Sequence, residues 1–228
     1  MSLDMSYLQA YGETMVPVEQ TSSMAGDTTF ERGNVPLSLL LPWVEHVTSS
    51  QQVASTLTQR LYVAQASLSL LPSSLRHDLP LPIYVEKAGR GDVYDTSLWL
   101  GVAPTFTPLH RDPNPNLFVQ LAGRKKVRLL RPEHGDVLYG QTGRMLESAG
   151  ERRLQGGDGH FRGEEMMAGR ERKVMEQCIW GQGEVNGIEE GWEADLGAGD
   201  GLFIPTGWWH SLKGIGDGVT ASVNWWFR

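Results

Sequence analysis

A mainly β fold, a sandwich or barrel with helices packed outside it, is what the 228-residue chain predicts. Short runs rich in β-branched and aromatic residues recur through its second half: Ser97 to Val102, Leu117 to Leu121, Lys126 to Leu130, Gly201 to Ile204 and Val219 to Phe227. Gly, Pro, Asn or Asp separates them, which is the punctuation of strands. Apolar residues at helical spacing occur in only a few places, and the length is close to that of one large domain.

Residues 12–34 are rich in Gly, Ser and Thr without a sustained period, so they read as loop with at most one short strand. From Asn34 the pattern changes. Asn34 suits a helix cap, Pro36 suits the first turn, and Leu39, Leu40, Trp43 and Val47 recur at helical spacing, predicting a helix to about Ser50, interrupted or kinked near Pro42. Arg60 to Gln65 reads as a short strand, and Leu68 to Leu79 as a further short helix ahead of Pro80 and Pro82. Residues 140–192, dominated by Gly and charge, read as an insertion between core strands with a helix from about Gly163 to Trp180. The expected organisation is therefore an N-terminal loop and helical segment, 1–58, packed on a core of residues 59–228.

Lys and Arg number 20 against 27 Asp and Glu, a formal charge of −7, which argues against a general nucleic-acid or anionic-membrane binder. Cys178 is the single cysteine, so an internal disulfide and any cysteine-cluster metal site are excluded. The longest apolar stretch, Leu37 to Val44, contains Ser38 and Pro42 and falls far short of the ~20 residues that span a bilayer. Met1 to Met5 shows no secretory pattern, and a cytoplasmic or nuclear location is the expectation.

The chemistry lies in Thr107-Pro108-Leu109-His110-Arg111-Asp112. On an extended segment residues i and i+2 point to one side, so His110 and Asp112 can reach the same metal ion. His210, just after the strand Gly201 to Ile204 and its Pro205 turn, is the candidate third ligand. Two histidines and one carboxylate form the facial set that binds Fe(II) while leaving coordination positions open.

The segments "TPLHRDPNPNLFVQLAGRKKVRLLRP" and "GDGLFIPTGWWHSLKGIGDGVTASVNWWF" resemble the JmjC family of cupin-fold, Fe(II)- and 2-oxoglutarate-dependent oxygenases. The likeness is to the hydroxylase branch that includes the asparaginyl hydroxylase acting on hypoxia-inducible factor, and it runs from about Tyr62 to the last residue. It implies a double-stranded β-helix (jelly-roll) with flanking α-helices, and a reaction in which O2 and the co-substrate 2-oxoglutarate yield succinate, CO2 and a hydroxylated C–H bond. It also implies that His110, Asp112 and His210 hold the iron, and that Lys125, fifteen positions after His110, receives the distal carboxylate of 2-oxoglutarate. Lys126 is the neighbouring alternative, since strand alternation buries only one of the two on a given face. Thr107 and Tyr62 match hydroxyl donors to that carboxylate, Asn116 and Asn224 match amides of the pocket, and Trp208 and Trp226 are candidates for the substrate entrance. No general base or protein nucleophile is required.

The resemblance favours hydroxylation of a protein side chain, with N-methyl-lysine demethylation by the same centre as the alternative. A cupin-like binding protein without turnover is a reading from another class, weakened because the ligands and the pocket lysine are all present. A nucleic-acid oxygenase is disfavoured by the charge. Some relatives dimerise through helices that would follow Asn224, and a first core strand is expected before Tyr7; neither is visible in this sequence, so the expectation is a monomer and a shortened chain.

Overall fold

The computed structural model describes residues 3–24, 27–49, 59–148, 169–181 and 190–228. Eleven strands form two antiparallel sheets among the described residues. Strand β1 (Met15–Met24), β2 (Asp27–Pro36), β3 (Gln59–Ser67), β4 (Val93–Val102), β6 (Asn116–Ala122), β9 (Gly201–Ile204) and β11 (Val219–Phe227) make the larger sheet, in the order β2-β1-β3-β4-β11-β6-β9. Strand β5 (Phe106–Arg111), β7 (Arg124–Leu130), β8 (Trp192–Leu196) and β10 (Trp209–Ile215) make the smaller, in the order β5-β10-β7-β8. From β4 onward successive strands alternate between the two sheets, except that β7 and β8 pair with each other in the smaller one; this is the expected double-stranded β-helix.

The five second-half strands expected from the sequence are all present, β4, β6 and β7 with one or more added residues at their ends. Residues 12–34 are a correction: they hold most of the β1–β2 hairpin, ten residue pairs long, and β1 pairs with β3 to extend the larger sheet. Pro17, Gly33 and the run of small polar residues lower its β propensity, and neighbouring strands override that local preference. The helix after Asn34 is α2 (Leu37–Ser49), continuous through Pro42, with Leu37, Leu40, Leu41, Val44 and Val47 buried. Pro36, placed in a first helical turn by sequence, is instead the last residue of β2.

Short helices α1 (Met5–Gln9), α3 (Ser73–His77) and α4 (Ile83–Ala88) and a 3₁₀ turn at Leu68–Leu70 pack with α2 beside the larger sheet. Outside the smaller sheet, α5 (Pro132–Ser148) and α6 (Gly169–Trp180) bury Leu138, Met175 and Ile179 against Leu109, Leu130 and Trp209. Much of α5 was missed by the sequence reading because Gly135, Gly140 and Gly143 depress its propensity. Gly135 is required there: a Cβ at this position would run into the Trp209 indole. Of the expected helix over 163–180, residues 169–180 are α6, and 163–168 with Glu164, Glu165, Met166 and Met167 lie outside the described residues. Between the sheets, Phe118, Val127, Leu129, Leu196, Ile204 and Leu212 form the barrel interior. Among the described residues no helix is long and apolar enough to cross a membrane.

Candidate metal centre

Strands β5 and β10 pair with His210 directly opposite His110, so the two imidazoles stand side by side with ring centroids 4.2 Å apart. Asp112 follows the end of β5, two residues on from His110 and on the same side. One ligand atom from each of the three residues lies within 4.8 Å of the others, and all three side chains are buried.

Their orientation is set from behind. The carbonyl of Pro108 can only accept, so His110 Nδ1 donates to it at 2.8 Å, and His210 Nδ1 likewise donates to the Trp208 carbonyl at 3.1 Å. This tautomer turns each Nε2 toward the carboxylate: His110 Nε2 is 3.8 Å from Asp112 Oδ1 and His210 Nε2 is 3.5 Å from Asp112 Oδ2. Asp112 Oδ2 in turn accepts from Asn116 Nδ2 at 2.9 Å and from the Trp226 indole at 2.8 Å. Asn224 Nδ2 donates to Asn116 Oδ1 at 2.8 Å, so two amides and one indole hold the carboxylate in place.

Protonation states agree with this geometry. Burial, aided by the neighbouring His210, pushes the His110 pKa down to about 4 against the pull of Asp112, so its imidazole is neutral at pH 7. Burial favours the neutral form of Asp112, yet the two imidazoles and the Trp226 and Asn116 hydrogen bonds together hold its carboxyl below the usual range. A neutral imidazole and an ionised carboxylate converging on one small volume, with a second imidazole beside them, are a donor set for a divalent cation. The residues present therefore fit the metal that the resemblance implies.

Strand alternation sends the two neighbouring lysines to opposite faces. On β7 Lys125 points inward and is 2% exposed, while Lys126 points out and pairs with Glu193 at 2.6 Å. Lys125 Nζ donates to Ser222 Oγ at 2.8 Å and to the Tyr62 hydroxyl at 3.3 Å, and no carboxylate pairs with it among the described residues. Burial lowers its pKa to about 7. Thr107, Asn116 and Asn224 line the same cleft as His110, His210 and Lys125, and so does Trp226. Trp208 packs instead against Trp192, ring centroids 5.2 Å apart, and is not among the residues lining the cleft.

Three features were not singled out from sequence. Ser222 is two residues before Asn224 on β11, so strand alternation would have found it. Trp99 lines the cleft with its buried indole N–H unpartnered among the described residues. Asp136 of α5 accepts from Arg111 at 3.1 Å and from the Trp209 indole at 3.1 Å, tying together the neighbours of all three metal-ligand candidates. Because Trp226 orients a ligand, Trp226→Phe is expected to weaken divalent-cation binding by roughly 10–100-fold while leaving the fold intact, as measured by titration calorimetry with Mn(II).

The cupin-like domain family matches residues 2–228 of the chain. "Lysine-specific demethylase JMJ30" of Arabidopsis thaliana is 31% identical over 152 residues, covering 67% of this chain and 30% of that protein. "Lysine-specific demethylase 8" of Danio rerio is 29% identical over 154 residues, covering 67% and 32%. "Jumonji C domain-containing protein 5" of Drosophila melanogaster is 31% identical over 150 residues, covering 63% and 35%. The aligned part thus spans about a third of the length of these curated relatives. With an eight-strand jelly-roll from β4 to β11 and a buried His-Asp-His set on β5 and β10, the chain belongs to the cupin-like domain family, in its JmjC form.

Proposed function

We propose that this chain is an Fe(II)- and 2-oxoglutarate-dependent dioxygenase that hydroxylates a protein side chain. The observation that carries the reading is the buried Lys125 ammonium, with no carboxylate partner among the described residues, in the cleft lined by His110 and His210 of the His110-Asp112-His210 set. A buried cation without a counter-ion is costly, and a dicarboxylate reaching from the metal to Lys125 offsets that cost. Bound there, Fe(II) and 2-oxoglutarate supply an oxidative decarboxylation in which one atom of O2 enters succinate and the other the substrate C–H bond, with release of CO2.

The chain's own residues bind, orient and shield. His110, Asp112 and His210 hold the metal on one face, and Asn116, Asn224 and Trp226 keep the Asp112 carboxylate aimed. Lys125, Tyr62, Thr107 and Ser222 receive the distal carboxylate of the co-substrate. The Trp99 N–H is a donor for an acceptor carried into the cleft. The cleft is narrow, about 30 Å³. Phe118, Ile204 and Leu212 exclude water from the inner end.

Gly101 makes room for this arrangement. A Cβ there would stand 2.6 Å from Tyr62 Cδ2. Gly101→Ala is therefore expected to push the Tyr62 ring off Lys125 and raise the 2-oxoglutarate Kd by about three- to tenfold, the value of one hydrogen bond, with metal affinity unchanged. Competition against a bound chromophoric analogue reads this directly.

A second reading, removal of a methyl group from N-methyl-lysine, is favoured by the names of the Arabidopsis and Danio relatives. Hydroxylation of an N-methyl carbon gives a hemiaminal that releases formaldehyde, so the same centre serves both outcomes. Mass spectrometry of unmodified and N-methylated peptide libraries incubated with Fe(II), 2-oxoglutarate and O2 separates them. The proposal expects peptides that gain one oxygen atom with stoichiometric succinate. Turnover confined to methylated peptides, with loss of a methyl group and release of formaldehyde, would replace it by the second reading.

A further inference from the structure

Behind the larger sheet, away from the metal cleft, lies a cavity of about 200 Å³ bounded by α1, α2, α3, β4 and the chain after α3. Leu98 and Leu100 of β4 and Ala221 of β11 form one wall, and Leu8, Leu37, Leu75 and Leu79 contribute to the others. Strand alternation puts Trp99 and Ser222, the residues between and beside these, on the opposite face with the metal cleft. One sheet separates the two spaces.

The lining is apolar except at one end, where Asp4, Tyr7 and Asp78 meet. The Tyr7 hydroxyl donates to Asp78 Oδ2 at 2.7 Å, and the Tyr11 hydroxyl donates to Tyr7 at 3.3 Å. Asp4 accepts from the Tyr7 backbone N–H and the Ser6 hydroxyl, which hold its carboxyl below the usual range. Neither aspartate has a salt-bridge partner among the described residues. The cavity thus has an aliphatic body and, at one end, a solvent-exposed rim that carries two carboxylates.

Protein interiors close up to near-crystalline density, and voids much larger than a water molecule are few. An apolar void offers water no hydrogen bonds, and engineered voids of about 150 Å³ take up benzene-sized molecules. The two aspartates bias that uptake toward a cation. We propose that this cavity is a binding site for a small hydrophobic ammonium compound, its aryl or alkyl body among the leucines and its charged head at Asp4 and Asp78.

The test titrates the full chain with 2-phenylethylamine, 2-phenylethanol and phenylacetate at neutral pH, following leucine methyl NMR signals. Expected are saturable shifts at Leu75 and Leu98 with the amine, about two- to fivefold weaker binding of the alcohol, the worth of an exposed ion pair, and weaker binding still of the carboxylate. Asp78→Asn should bring the amine down to the level of the alcohol. Leu75→Phe, or Leu79→Phe should the first fail to fold, fills the space and should abolish binding without loss of thermal stability. The proposal is overturned if no probe saturates, if phenylacetate binds as tightly as the amine, or if a folded filled variant still binds. It is also overturned if filling the cavity dissolves a dimer seen by sedimentation, since the occupant is then a second copy of the chain.

Discussion

Lys125→Met is expected to abolish measurable 2-oxoglutarate binding and, at the same time, to make the protein more resistant to heat. Breaking a buried charge pair costs about 3–5 kcal/mol, so the Kd should rise by roughly 10²–10³-fold or more. Stability moves the other way because, among the described residues, the folded chain without ligand surrounds this side chain at 2% exposure with two hydroxyls and the Tyr62 and Phe118 rings but no carboxylate. Removing an uncompensated buried ammonium should stabilise by about 1–3 kcal/mol, and the melting temperature should rise by ~2–4 °C for each kcal/mol.

The same group sets a pH dependence. Its pKa falls from 10.5 to about 7 on folding, so the unfolded chain binds more protons between those values. Stability of the ligand-free protein should rise with pH across that window and lose the contribution as pH falls toward 7. Co-substrate binding favours the charged ammonium. Affinity for 2-oxoglutarate should therefore be flat below about pH 7 and weaken by up to tenfold per unit above it, until the pKa of the complex is reached. Titrations at a series of pH values check the slope, and Lys125→Met should flatten it.

Asp112→Asn carries the second large effect. The amide has nearly the volume of the carboxylate and can still accept from Asn116 and Trp226 through its oxygen, so the fold should survive. The site loses its only anionic donor among His110, Asp112 and His210. Divalent-cation affinity should fall by more than ~100-fold, beyond the 10–100-fold range for an outer partner such as Trp226. Calorimetry with Mn(II) on the two variants side by side tests that ranking.

Part of the site was legible locally, in the spacing of His110 and Asp112, whereas Lys125 and the pocket hydroxyls and amides were implied by the family resemblance. His110 and Asp112 are two apart on an extended segment, and the Lys125/Lys126 ambiguity is one that strand alternation resolves once the inward face of β7 is known. What escaped was non-local. Asp136 meets Arg111 across 25 residues and Trp209 across 73, and nothing in its immediate sequence marks that contact. Strand β10 was hidden for a related reason: His210 and Ser211 are buried polar residues, and they break the apolar pattern by which a core strand is recognised. The β1–β2 hairpin was hidden by composition, since Pro17, Gly33 and its small polar residues mask the strand pattern while pairing with β3 and burial of Val16 and Val18 support it.

The most direct measurement is an anaerobic titration of the Fe(II)-loaded protein with 2-oxoglutarate, following the visible metal-to-ligand charge-transfer band. A band that saturates in the wild type, is lost in His210→Ala and requires far more co-substrate in Lys125→Met is the predicted result. A folded, Fe(II)-binding wild-type protein that shows no band at any 2-oxoglutarate concentration would contradict the account and leave a cupin-like binding protein in its place.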